Sequence, residues 1–93
     1  MINSLDYSIV IPIFNEEDTI LELWKQLNEV LHQITGSKEV IFTNDGSQDS
    51  SLDLLLKLRS EFPEIKIINF SRNFGHQSAL SAGLDYANGK AII

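Results

Sequence analysis

Apolar residues fall along this chain in two alternating rhythms. Tyr7-Ser-Ile-Val-Ile-Pro-Ile-Phe14 is nearly continuous and rich in β-branched side chains, the pattern of a strand buried on both faces. Asn15 then offers a helix N-cap, and Glu16, Glu17 and Asp18 bring negative charge to the first turn, where the helix dipole favours it. Ile20, Leu23, Trp24, Leu27, Val30, Leu31 and Ile34 follow at helical spacing, with Gly36 as a candidate C-cap. The rhythm then repeats. Residues 39–44 predict a second strand, Asp45-Gly46-Ser47 a turn, and Ser47 or Asp49 the cap of a second helix carrying Leu52, Leu55, Leu56, Leu58 and Phe62 up to Pro63. Residues 65–71 predict a third strand and residues 72–75 a loop. Residues 77–87 predict a third helix whose packing side is Ala79, Ala82, Gly83 and Ala87. Gly89 ends that helix, and Ala91-Ile92-Ile93 begins a fourth strand.

Strand alternating with helix in this way predicts a Rossmann-like three-layer α/β/α domain with a mainly parallel sheet and right-handed crossovers. Ligands of such sheets sit beyond the carboxyl ends of the strands, near a switch point in strand order. Three loops are therefore expected to converge: residues 12–16, 44–49 and 71–76. Ninety-three residues suit one domain, 1–93, with no linker and no low-complexity segment.

Charge and composition narrow the function. A net charge of −6 argues against nucleic acid as a partner and against docking on an anionic membrane through charge alone. The chain has no cysteine, so there is no disulfide framework and no thiolate metal site, which points to a reducing, cytoplasmic compartment. No stretch reaches the ~20 apolar residues of a membrane span, and no signal peptide is expected.

Two nucleotide-binding motifs are missing. No Gly-x-Gly-x-x-Gly follows strand one, and there is no Gly-x-x-x-x-Gly-Lys-Ser/Thr phosphate loop. Strand two instead ends in Asp45, whose carboxylate only accepts hydrogen bonds and so suits a ring N–H or a ribose hydroxyl, with Phe14 as an apolar wall for a base. The plainer alternative, a turn at 45–47 and a cap at Asp49, stands equally. Arg72, one of two arginines, lies on the third loop and suits a diphosphate; a surface arginine without a partner is the alternative. Asn73-Phe74-Gly75, ahead of the third helix, can bring backbone N–H groups to a phosphate, or Gly75 is a simple loop glycine. His32 is expected at the surface or the edge of the core. His76 lies in the candidate site without a nucleophile beside it, and no His-Glu-x-x-His spacing occurs.

Three segments in order carry a resemblance: Ser8-Ile-Val-Ile-Pro-Ile-Phe-Asn-Glu-Glu17, Asn44-Asp-Gly-Ser-Gln-Asp-Ser50 and Ser71-Arg-Asn-Phe-Gly-His-Gln-Ser-Ala-Leu-Ser-Ala-Gly83. Together they resemble the family-2 glycosyltransferases, inverting enzymes of the GT-A fold. The third is most similar to the polyprenyl-phosphate (dolichol- or undecaprenyl-phosphate) glycosyltransferases. The resemblance implies that Pro12, Phe14 and Glu16 line a nucleoside pocket, that Asp45 holds the base, and that Arg72 lies near the base or phosphates. Gly46, Asn73 and Gly75 complete that nucleotide-binding set. It also implies a UDP- or GDP-sugar donor and a lipid-phosphate or glycan acceptor at the inner face of the cytoplasmic membrane. A divalent Mg or Mn ion is implied too, held by an Asp-x-Asp motif that would follow Ile93. The chain is then expected to be the donor-binding half of a longer enzyme, without catalytic residues, inactive alone and self-associating as a homodimer through exposed apolar surface. Two other classes fit less well. A receiver-like signalling module would place an aspartate where Ser71-Arg72-Asn73 stands, and a nucleotidyltransferase would place a glycine-rich basic loop after strand one.

Overall fold

The computed structural model describes residues 5–87 and 89–92. Seven elements alternate as expected: β1 (Leu5–Ile13), α1 (Ile20–His32), β2 (Lys38–Asp45), α2 (Ser51–Glu61), β3 (Ile65–Phe70), α3 (His76–Tyr86) and β4 (Gly89–Ile92). The four strands form one sheet of order β3-β2-β1-β4, every neighbouring pair parallel. Ile9 stands beside Val40 and Val40 beside Ile65, while Tyr7 stands beside Ala91 on the other side. The chain winds outward from β1 through β2 to β3, then returns past β1 to lay down β4. The switch point therefore lies between β1 and β4, as the open-sheet rule requires of a ligand site.

Period-two alternation sorts the side chains onto two faces. Ile9, Ile13, Val40, Phe42 and Ile65 point to one, where Ile20, Trp24 and Leu31 of α1 and Leu55 and Leu58 of α2 close over them as the main core. Trp24 is its hub, with ring centroids 6.4 Å from Phe42 and 5.0 Å from Phe62. Val10 and Thr43 point the other way, towards α3, where a Cβ added at Gly83 would lie 2.2 Å from the Val10 side chain. Of the small residues foreseen on α3, Ala79 and Gly83 are buried where helix and sheet approach most closely, whereas Ala82 is half-buried and Ala87 follows the helix as its C-cap.

A polar thread crosses the sheet near the amino ends of its strands, using one residue from each. Gly89 N–H donates to Ser8 Oγ at 2.7 Å, and Ser8 Oγ donates to Glu39 Oε2 at 2.6 Å. Lys66 Nζ meets Glu39 Oε1 at 2.6 Å. Ser8 and Glu39 are buried, so this pairing keeps a carboxylate inside an apolar sheet.

Several boundaries differ from the sequence expectation. α1 begins at Ile20 rather than directly after Asn15, with Thr19 at the N-cap position, because Asn15 adopts a left-handed backbone (φ 52) and turns the chain. Glu16, Glu17 and Asp18 therefore precede the helix, and Glu22 is the acidic residue of its first turn. α1 ends at His32, so Gly36 lies in the following turn instead of capping the helix. α3 starts one residue early, at His76. Gly89 belongs to β4 and does not stop α3, since a Cβ there would sit 2.5 Å from the Tyr7–Ser8 backbone that β4 must approach. Of the expected α1 stripe, Leu23 and Val30 remain exposed. The end of the expected fourth strand, Ile93, lies outside the described residues.

Candidate functional site

The loops after β1 and β2 are laced together by side chains short enough to reach neighbouring backbone. Asn15 N–H donates to Ser47 Oγ at 3.0 Å, and Gln48 N–H donates back to Asn15 Oδ1 at 2.8 Å. Glu16 N–H donates to Ser51 Oγ (2.9 Å), Glu17 N–H to Asp49 Oδ2 (3.1 Å), and Ser50 N–H to Glu17 Oε2 (3.2 Å). Asn15 thus acts as a bridge between loops, and its left-handed φ suits asparagine, one of the few side chains that tolerate that region.

Of the two cap candidates for α2, Asp49 accepts Ser51 N–H at 2.9 Å, while Ser50 occupies the N-cap position without a side-chain hydrogen bond. Desolvation opposes the charged form of Asp49. Hydrogen bonds from the hydroxyl and N–H of Ser51 and the N–H groups of Glu17 and Asp49 itself outweigh it, holding this carboxyl below the ordinary aspartate value. Ser47 is not a cap: its hydroxyl donates to Asn44 Oδ1, and Asn44 Nδ2 donates to Asn69 Oδ1 at 2.9 Å, tying β2 to β3.

The third loop is held by Asp45, which is 2% exposed. Phe74 N–H donates to Asp45 Oδ1 at 2.8 Å, while Gly75 N–H and Asn73 Nδ2 each donate to Oδ2 at 3.1 Å. Asn73 Nδ2 also reaches the Asp45 carbonyl at 3.2 Å. Gly46, at φ 70, lies directly under residues 72–73: a Cβ there would be 2.2 Å from Arg72 C and Asn73 N. Phe70 and Phe74 pack edge to face at 5.3 Å, and the Arg72 guanidinium sits 4.7 Å from the centre of the Phe74 ring.

The three loops therefore converge, and they enclose two adjoining cavities of about 410 Å³ each. The first is lined by Pro12, Ile13, Phe14, Glu16, Asp45, Asn73, Gly75 and His76. It gathers six of the eight site residues expected from the sequence. The other two, Gly46 and Arg72, face the second cavity with Asn44, Ser47, Gln48, Leu52, Asn69, Phe70 and Ser71, and Phe14 and Asn73 form the shared wall. His76 is exposed at the rim and His32 is exposed on α1, far from the site in sequence. Asn15, Asn44, Ser47, Ser51 and Asn69 were not singled out as site-forming, because their roles rest on pairings between residues 25 to 35 positions apart. Asn15, Asn44 and Ser47 lie in the segments that carried the resemblance, while Asn69 near the end of β3 and Ser51 at the start of α2 had no signal beyond their place in the chain.

Among the described residues, no group of three or more His, Asp or Glu side chains gathers to hold a metal ion. No helix among them is long and apolar enough to cross a membrane.

Comparison with known proteins gives this geometry a context. The family model described as glycosyl transferase family 2 matches residues 8–93. An uncharacterised glycosyltransferase, YkcC of Bacillus subtilis (strain 168), is 48% identical over 93 residues, which is all of this chain and 29% of that protein. A prophage bactoprenol glucosyl transferase homolog of Escherichia coli (strain K12) is 41% identical over 86 residues, covering 92% of this chain and 28% of that protein. Among solved structures, residues 1–349 of S. aureus TarS in complex with UDP align with a TM-score of 0.77 and 26% identity, over 96% of this chain and 27% of that one. The chain spans under a third of the length of each of these proteins. By its family match over nearly all of its length, and by a fold shared with TarS, this chain belongs to glycosyl transferase family 2.

Proposed function

We propose that the chain is the nucleotide-binding part of a glycosyltransferase that moves a sugar from a nucleoside-diphosphate donor to a polyprenyl phosphate. The observation that carries this is the cavity at the carboxyl ends of β1 and β2, beside the switch point, walled by Pro12, Phe14, Glu16, Asp45, Asn73 and Gly75. Its half-exposed Phe14 offers a flat apolar wall for a base, and Asp45 offers an acceptor for a base N–H or a ribose hydroxyl. The UDP bound to the TarS structure supports a uridine donor, and the bactoprenol glucosyl transferase relatives support a lipid-phosphate acceptor.

In this reading an oxygen of the acceptor phosphate attacks the anomeric carbon while the bond to the nucleoside diphosphate breaks, which inverts that centre. A phosphate acceptor is already ionised and needs no general base. The described residues bind and orient the nucleoside, and Arg72, braced on Phe74, supplies a cation beside the neighbouring cavity for the diphosphate. A divalent ion on the diphosphate, a place at the inner face of the cytoplasmic membrane and a homodimeric state belong to the same proposal. The test is a thermal-shift screen of UDP, GDP, CMP and ATP on the full-length protein, followed by transfer of labelled sugar from the stabilising donor into extractable polyprenyl lipid. Stabilisation by UDP above the others and label in the lipid are expected. Equal response to all four nucleotides, or label only in water-soluble product, would overturn it.

A further inference from the structure

We propose that Asp45 is a positioning residue whose buried carboxylate gathers residues 73–75 into the wall of the nucleoside cavity and leaves a single acceptor site for the ligand. A carboxylate has about four lone-pair sites. Three are occupied from within the chain, by Phe74 N–H on Oδ1 and by Gly75 N–H and Asn73 Nδ2 on Oδ2. Donors from three successive residues on one carboxylate close the loop over the end of β2. The close seat of Gly46 beneath the Arg72–Asn73 peptide holds it from the other side. The effect reaches the cation: Arg72 rests on the Phe74 ring, and Phe74 is anchored by the N–H that Asp45 accepts. One buried side chain thereby sets both the wall of the first cavity and the place of the guanidinium at the second.

This inference rests on the nucleoside reading of the cavity, and it separates cleanly from a simple ligand contact. If Asp45 served only to accept one hydrogen bond from a ligand, Asp45→Asn would keep a carbonyl oxygen for that bond. As the gathering point of three donors it cannot be replaced by an amide, which brings one acceptor oxygen and turns an NH₂ group towards incoming N–H donors. The test uses the full-length protein in its wild-type, Asp45→Asn and Asp45→Ala forms. Hydrogen–deuterium exchange is first followed without ligand, comparing residues 73–75 with β1 and β2 as an internal check on folding, and UDP is then titrated by calorimetry. Both variants are expected to raise exchange in the loop about tenfold or more while the strands stay protected. Both are expected to lose UDP affinity by roughly ten- to a hundredfold, Asn nearly as much as Ala. Unchanged loop exchange in Asp45→Ala, or wild-type UDP affinity in Asp45→Asn, overturns the positioning role. Loosening of the loop in a protein whose wild type binds no UDP keeps the clamp and removes the nucleoside reading, so the two failures are distinguishable. Should Asp45→Ala not fold, Asn73→Ala removes one of the three donors, and unchanged exchange at Phe74 and Gly75 in that variant also counts against the clamp.

Discussion

Asp49 receives hydrogen bonds from two segments at once, the start of α2 and the loop after β1, and so ties charge to loop order. Its pKa is lowered in the folded chain below the ordinary 3.8. The stability it contributes is therefore full above the unfolded value and is lost as pH falls through the folded one. Urea unfolding from pH 7 down to pH 3 should show the wild type losing its advantage over Asp49→Asn only in the acid range; a constant difference throughout would contradict this. Glycine supplies a second contrast at the same scale. Gly46→Ala combines a left-handed backbone with a collision against the Arg72–Asn73 peptide, so a loss of about 2–5 kcal/mol is expected. Gly75→Ala also has positive φ but open space around its Cβ, so about 1–3 kcal/mol is expected. Melts of the two variants that reversed this order would show that the clash at residue 46 is relieved elsewhere. Arg72→Ala should weaken UDP more than uridine in calorimetry, and equal losses for both would remove its phosphate role.

At the scale of elements, strand pairing is reinforced by side chains as well as by backbone. The Gly89–Ser8–Glu39–Lys66 thread spans β4, β1, β2 and β3 in spatial order. Ser8→Ala takes one partner from the Gly89 N–H and one from the Glu39 carboxylate, with an expected cost of about 1–3 kcal/mol. The loss should fall on the β1–β4 edge first, because the N–H that loses its acceptor belongs to Gly89, the first residue of β4. Amide exchange faster in β4 than in β2 and β3 is the expected signature, and uniform acceleration of all four strands would refute it. The helices divide the labour differently. α1 and α2 bury large side chains over the main core, while α3 uses Ala79 and Gly83 to come close to β1 and β2. That closeness brings the start of α3, and with it the loop ahead of it, up to the ends of the strands.

For the molecule as a whole, the same architecture leaves apolar surface outside. Leu84 and Tyr86 are exposed on α3, Phe74 on the loop before it, and Leu21, Val30 and Leu56 on the other two helices. If these residues serve association, light scattering at tens of micromolar should give a dimer mass and a melting temperature that rises with concentration. A monomer with a concentration-independent melt would refute it. The net charge of −6 opposes contact, so association should strengthen with salt, since screening shortens its reach to about 8 Å at physiological ionic strength.

The order of strands and helices, their parallel pairing and the three ligand-facing loops were legible in the chain, because β-branched runs and helical spacing are local signals written into neighbouring residues. The segments 8–17, 44–50 and 71–83 also carried the family resemblance for the same reason. Helix starts were less legible: the left-handed turn at Asn15 answers to Ser47 and Gln48, more than thirty positions away, and no local pattern reveals such a partner. Gly89 likewise looked like a helix stop, yet it is glycine because a strand passes against Ser8. Asp45 shows the division most clearly. Its type and place at the end of β2 were enough to mark it as an acceptor in a site. That its carboxylate is already engaged by Asn73, Phe74 and Gly75 was decided only when β2 and β3 came to lie side by side and brought those donors within hydrogen-bond reach.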